Sequence, residues 1–228
     1  MAFQPYVPPE QLIKDRSDYA RKGIARGRSV VAVECDIGLL FLAENPSATL
    51  HKISEIYDRI AFAGVGRYSE FEDLRISGVR LADLRGYSYG REDVTAKTIA
   101  NAYAQALSTV FTQQLKPFEV EILVGQVGES PEDSELYHIL FDGSLTDERG
   151  YVAMGGKSEE LTAQLKDRYR EDLTVEDAVR MGAAALGAVE QNQVEAANLE
   201  VAVLDRTRGR RKFRRLTDQE LAGMLATT

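Results

Sequence analysis

One cysteine, two histidines and no tryptophan among 228 residues leave little room for several kinds of site. The lone thiol, Cys35, excludes an internal disulfide framework and suits a reducing compartment, so a cytoplasmic location is expected. His51 and His138 lie far apart, with no ligand-spaced Cys or acidic cluster beside them, and no metal or cofactor is expected. The longest apolar runs are strand-sized, well short of the roughly 20 residues that span a bilayer. Residues 1–28 are charged and lack the apolar core of an export signal. No Gly-x-Ser-x-Gly elbow occurs. Positive charge is the minority sign: 28 Lys and Arg against 36 Asp and Glu give a formal net charge of −8. That balance argues for a soluble protein and against a generic binder of nucleic acid or anionic membranes.

What is present is strand and helix in a clear order. Residues 29–35 read as a strand that turns at Asp36-Ile37-Gly38 and returns over 39–43, Gly38 being able to supply a positive φ. Upstream, Pro8 and Pro9 precede Glu10, as at the first turn of a helix with an acid at its positive end. Leu12, Ile13, Tyr19, Ala20 and Ile24 then form one apolar stripe, and Gly27 closes the helix. Residues 52–57 and 60–65 read as a strand pair about Asp58-Arg59. Phe71 and Leu74 mark a helix. A second, N-capped near Asp93, carries Ile99, Ala102, Tyr103, Ala106, Leu107, Val110 and Phe111 at i, i+3, i+4 spacing until Pro117.

Strands follow over 118–127 and 135–141, then a turn at Asp142-Gly143 and a short buried strand over 151–154. Helices over 159–169 and 175–189 come next, the latter opening on the capping-box spacing of Thr174 and Asp177. A hairpin of 199–204 with 212–215 and a short helix capped at Thr217 to Glu220 complete the order. The sequence of elements fits two sheets between helical layers, an α/β/β/α four-layer sandwich (α+β) with an extra N-terminal helix. No repeat or linker interrupts a length that one substantial core can serve, so residues 1–228 are expected to form a single domain.

Three passages suggest sharper chemistry and are better explained without it. Gly155-Gly156-Lys157-Ser158 resembles the end of a phosphate-cradling loop, but the earlier glycine of that pattern would fall at Tyr151, so a tight strand-to-helix turn is expected. Arg206, Arg208, Arg210, Arg211, Lys212, Arg214 and Arg215 could meet phosphates in a nucleic-acid-binding hairpin. In an acidic chain with one interleaved aromatic, Phe213, a solvated edge or a contact with an acidic partner is the expectation. Cys35 alternates with inward-facing Val31 and Val33, which points to a small buried residue rather than a nucleophile.

The hairpin over 29–43 looks like the opening hairpin of enzymes whose nucleophile is their own N-terminal residue. Longer stretches carry the likeness further. Ala20-Arg21-Lys22-Gly23-Ile24-Ala25-Arg26-Gly27-Arg28-Ser29-Val30-Val31, Ala43-Glu44-Asn45-Pro46-Ser47 and His51-Lys52-Ile53-Ser54-Glu55-Ile56-Tyr57-Asp58-Arg59 resemble the α-type subunit of the bacterial proteasome core particle. So do Asp83-Leu84-Arg85-Gly86-Tyr87-Ser88-Tyr89, Lys116-Pro117-Phe118-Glu119-Val120-Glu121 and Leu199-Glu200-Val201-Ala202-Val203-Leu204-Asp205. The six segments stand in order over nearly the whole chain and are most similar to the actinobacterial branch.

The resemblance implies the fold of N-terminal-nucleophile hydrolases, a gate segment over 1–8, an N-terminal helix over 9–27 and the sandwich over 28–228. In the catalytic β-type relatives a Thr opens the mature chain and its own amine acts as base, helped by an acid and a Lys. Here Ser29 falls about where that Thr would stand, Asn45 where the acid would, and Lys52 near the Lys. With residues 1–28 retained, no free amine forms, and a non-catalytic subunit is implied. Removal of 1–28 would instead give an active peptidase.

In α-type relatives the Lys lies at the base of a pocket between neighbouring α subunits that receives the C-terminal carboxylate of an activator tail. Lys52 and Gly66 are the corresponding pocket residues, while Arg67 departs from the apolar residue found there in some relatives. Phe3, Pro5 and Tyr6 are the implied gate, with Pro9 as its hinge. The Tyr-Asp-Arg and Gly-Arg-Leu signatures of archaeal and eukaryotic gates are missing. The implied partners are β-type subunits, neighbouring α subunits in a heptameric ring and a ring-shaped proteasome-associated ATPase. Substrates tagged with a small ubiquitin-like modifier would be met indirectly.

Overall fold

The computed structural model describes residues 8–191 and 194–226. Helix α1 (Pro9–Ile24) leads into the hairpin β1 (Val30–Cys35) and β2 (Gly38–Glu44), then β3 (Ile53–Tyr57) and β4 (Ile60–Gly66). Helices α2 (Tyr68–Ser88) and α3 (Ala96–Gln113) precede β5 (Val120–Gln126), β6 (Glu135–Ile139), β7 (Leu145–Glu148) and β8 (Tyr151–Met154). Helices α4 (Ser158–Lys166) and α5 (Val175–Glu190), strands β9 (Leu199–Asp205) and β10 (Phe213–Arg215), and α6 (Asp218–Ala226) follow. No described helix is long and apolar enough to cross a membrane.

The strands form two five-stranded sheets, ordered β10-β9-β2-β1-β8 and β3-β4-β5-β6-β7, and every pairing is antiparallel. Alternation along each strand sorts the side chains into three apolar layers. Val30, Ala32, Phe41 and Ala43 meet Ala61, Ala63, Val65 and Leu123 between the sheets. Val31, Val33, Leu40 and Leu42 face Leu161, Leu165, Ala178, Val179 and Leu186 of α4 and α5 on one outer face. Phe62, Ile122 and Val124 face Phe71, Ile99, Tyr103 and Leu107 of α2 and α3 on the other. The expected α/β/β/α sandwich is therefore present.

Local chemistry explains most element ends and some departures from the sequence reading. Pro9 takes the first position of α1, where a missing N–H is tolerated, and the Pro8 carbonyl accepts from Leu12 N at 3.1 Å. That helix ends at Ile24 rather than Gly27, because Gly27 N bonds to Ile24 O at 2.9 Å in a tightened turn. Within its stripe only Ala20 and Ile24 are buried; Leu12, Ile13 and Tyr19 stay about half exposed.

The cap of α3 is Thr95, whose hydroxyl accepts from Thr98 N at 3.3 Å, and not Asp93, which sits in the preceding turn. Strand β7 went unexpected, since Thr146, Asp147 and Glu148 on an edge strand carry no apolar alternation. Half of the capping box at α5 forms: Thr174 accepts from Asp177 N at 3.2 Å while the Asp177 carboxylate takes Arg180 at 3.1 Å. The box at α6 is complete, with Thr217 and Glu220 each accepting from the other's backbone N–H.

Candidate functional site

The site lies where α1 hands the chain to β1. Ser29 is buried, 3% exposed, and its Cα stands close against Gly155 at the end of β8. On one side of this corner Gly27 lies against Gly66, its would-be Cβ 3.1 Å from Gly66 N. On the other side Lys52, just before β3, sends its ammonium to the carbonyl of Arg28, with Nζ 2.5 Å from that oxygen. Lys52 and Gly66, both expected at one pocket from the resemblance, thus meet the same turn of chain. The carbonyl that Lys52 touches belongs to the peptide bond that would have to break to free the Ser29 amine. An amide nitrogen has its lone pair delocalised into that carbonyl and cannot serve as a base.

The charges around Lys52 are paired and mostly buried. Glu44, 6% exposed at the end of β2, forms an ion pair with Arg28. Burial lowers the Lys52 pKa to about 8, Arg28 adds to the fall, and Glu200 and Glu44 oppose it. Asn45, at the place of the family acid, donates to Leu50 O at 2.7 Å and to Glu200 at 2.6 Å. It holds the loop before β3 and carries no charge with which to tune a nucleophile. Beside this loop a cleft of about 280 Å³ is walled by Asn45, Ser47, His51, Glu200 and Arg215, and Lys52 is not one of its walls.

Of two further charged groups at this corner, Glu200 has no role assigned from the sequence and Arg215 is read there only as part of the basic hairpin. Glu200 lies 6% exposed on β9, within the otherwise apolar stretch Leu199–Leu204, and Arg215 on β10 pairs with it at 2.5 Å. The lone acid inside Leu199–Leu204 was the available signal. A second network joins the starts of α2 and β5: Lys116 reaches Glu70 at 2.5 Å and Glu119 at 3.0 Å, and Arg67 reaches Glu119 at 2.9 Å. Arg67, which departs from the apolar residue of some relatives, is therefore tied into an ion-pair network.

The remaining candidates resolve simply. Phe3, Pro5 and Tyr6 lie outside the described residues, while Pro9 opens α1. Lys157 donates to Val189 O and Glu190 at the end of α5, both at 3.0 Å, so its ammonium serves the fold. The basic hairpin is largely matched by the chain's own acids, Arg211 with Glu55 at 2.6 Å and Arg214 with Glu220 at 3.0 Å. Burial pushes the Cys35 thiol up to about 11, aided by Asp36, which leaves it a poor nucleophile.

A four-layer sandwich opening on a hairpin, with Ser29, Asn45 and Lys52 around the start of β1, places the protein among the N-terminal-nucleophile hydrolase folds. The family model described as proteasome subunit matches residues 24–204, and the chain belongs to that family. It is 59% identical over 221 residues to the proteasome subunit alpha of Xylanimonas cellulosilytica, covering 92% of this chain and 91% of that relative. It is 56% identical over 228 residues to that of Acidothermus cellulolyticus, covering 98% and 97%. For Thermobifida fusca the identity is 54% over 227 residues, covering 99% and 91%. All three relatives carry the α-subunit name.

Proposed function

We propose that this chain is a non-catalytic α subunit of a cytoplasmic bacterial proteasome core, forming the gated outer rings that admit proteins for degradation. In this reading it docks β-type subunits on one side and the C-terminal tails of a ring-shaped ATPase on the other. The ATPase would deliver proteins tagged with a small ubiquitin-like modifier. What supports the reading is the 54–59% identity to chains named proteasome subunit alpha, together with an uncharged Asn45 where the family acid would stand and Lys52 bonded to the Arg28 carbonyl. With no amine to act as base and no carboxylate at 45, Ser29 lacks what an N-terminal nucleophile requires.

Lys52 then has a different use. A point charge on a flexible stem suits a carboxylate arriving at a partly buried seam, which would replace the Arg28 carbonyl as its partner. The half-exposed Leu12, Ile13 and Tyr19 on α1 support ring formation, since an apolar face of this sort suits packing against a neighbouring α subunit.

Co-expression with a β-type partner, followed by imaging and peptide-hydrolysis assays, tests the proposal. The expected result is outer rings of this chain flanking inner β rings, with basal hydrolysis rising when residues 1–7 are deleted. A particle in which the deletion leaves basal turnover unchanged would count against the gate.

A further inference from the structure

We propose that Glu200 is the positioning residue of the Lys52 site: from β9 in one sheet its carboxylate gathers residues 45–53 and sets where the Lys52 ammonium stands at the edge of the other. This rests on the reading of Lys52 as the docking cation for a carboxylate.

A buried carboxylate is costly unless its lone pairs are met, and here they are met by donors alone. Oε2 accepts from Asn45 Nδ2 at 2.6 Å and from Lys52 N at 2.9 Å. Oε1 accepts from Ile53 N at 3.1 Å and from Arg215 at 2.5 Å, with His51 Nδ1 3.4 Å away. Three of these donors belong to the segment that crosses from β2 in one sheet to β3 in the other. Arg215 completes the clamp by donating its second amino group to Ile53 O at 2.7 Å. The Lys52 carbonyl accepts from Gly64 N at 3.0 Å. The main chain of Lys52 is therefore fixed on both edges, and only its side chain is free to reach Arg28.

The chemistry explains a glutamate at this place. A glutamine would turn an NH₂ toward a ring of donors and could not satisfy them. Glu200 also supplies charge. The charged groups facing Lys52 are Glu200 from β9, Arg28 before β1 and Glu44 from β2, with Glu200 favouring the ammonium. His51 lies beside Glu200 on the same segment as Lys52. Arg28 and Glu44 act on the ammonium in opposite directions, and Glu200 exerts the largest charge effect on it.

The test uses assembled particles with wild-type, Glu200→Gln, Arg215→Gln or Lys52→Ala α chains. Competitive acetylation across pH, read by mass spectrometry, gives the titration midpoint of Lys52. A synthetic peptide ending in the activator's C-terminal residues, with its amidated form as control, gives the half-saturating concentration for stimulation. Glu200→Gln is expected to lower the Lys52 midpoint. Above that midpoint the peptide should bind about tenfold more weakly for each pH unit by which the midpoint falls. Stimulation should return as pH is lowered, which a merely structural lesion would not produce.

Arg215→Gln, at a side chain one-third exposed, is expected to move the midpoint upward, because it unmasks the Glu200 charge. It keeps the test open if Glu200→Gln does not assemble. An unmoved Lys52 midpoint in either variant overturns the role of Glu200 alone. Unchanged stimulation by the peptide in Lys52→Ala overturns the docking reading and this role with it.

Discussion

Replacing Lys52 with alanine is expected to raise the half-saturating concentration of an activator tail by about ten- to a hundredfold while rings still assemble. A charge-assisted hydrogen bond to a carboxylate contributes roughly 1.5–3 kcal/mol, which converts to that range. The side chain makes its contact at an exposed carbonyl rather than within a core layer, so its loss should leave the sandwich intact. A pH signature accompanies the mutation. The pKa near 8 means that the free site loses its positive charge as pH rises through 8, so tail stimulation should fall across that window. A bound carboxylate favours the ammonium, which places the observed midpoint at or above 8. Lys52→Arg, which cannot lose its charge, should abolish the fall. Stimulation that stays flat in the wild type from about pH 7 to about pH 9.5, a window in which an ordinary lysine with a pKa of about 10.4 keeps its charge, would contradict the lowered pKa of the docking ammonium.

Introducing a side chain at Gly66 should be the most damaging change in this region. Gly66 ends β4 at φ 105°, and a Cβ there would collide with the carbonyl oxygen of Glu119. That oxygen already accepts from Arg67 N at 2.9 Å, so it cannot swing aside without breaking a bond at the start of α2. Backbone strain of about 1–3 kcal/mol and a lost hydrogen bond of about 1 kcal/mol together predict a loss of roughly 2–4 kcal/mol for Gly66→Ala. In a chain of this size that corresponds to a fall in Tm of roughly 5–15 °C, measured by a thermal scan. The glycine is thus required by the backbone, whatever ligand approaches it. An unchanged Tm would show that the strand crossing is looser than the geometry implies.

The layers of the sandwich were legible because burial on both faces left strands β1, β2, β4 and β9 mostly apolar, while α3 and α5 kept a helical stripe. Legibility failed where tertiary contacts decide. Helix α2 runs unbroken for 21 residues although its apolar residues are scattered. Its Gly78 and Gly86 are small because the hydroxyls of Tyr103 and Tyr57 pack against them. The apolar stripe of α1 was visible, but its half-exposed state was not, since pattern alone does not say what covers a face.

At the site, Ser29, Asn45 and Lys52 could be placed by resemblance to known chains. The clamp around them could not, because Glu200 meets the Lys52 backbone across 148 residues of sequence and Arg215 meets Ile53 across 162. Such pairs leave no local periodicity. A single acid inside the apolar run Leu199–Leu204 is the trace they leave.

The non-catalytic role depends most directly on the state of the amine at residue 29. Intact-mass analysis of this chain taken from an assembled, hydrolytically active particle measures it. Residues 1–28 should remain attached in every molecule that supports stimulated hydrolysis. A population beginning at Ser29, cleaving peptides without β-type subunits, would contradict that role.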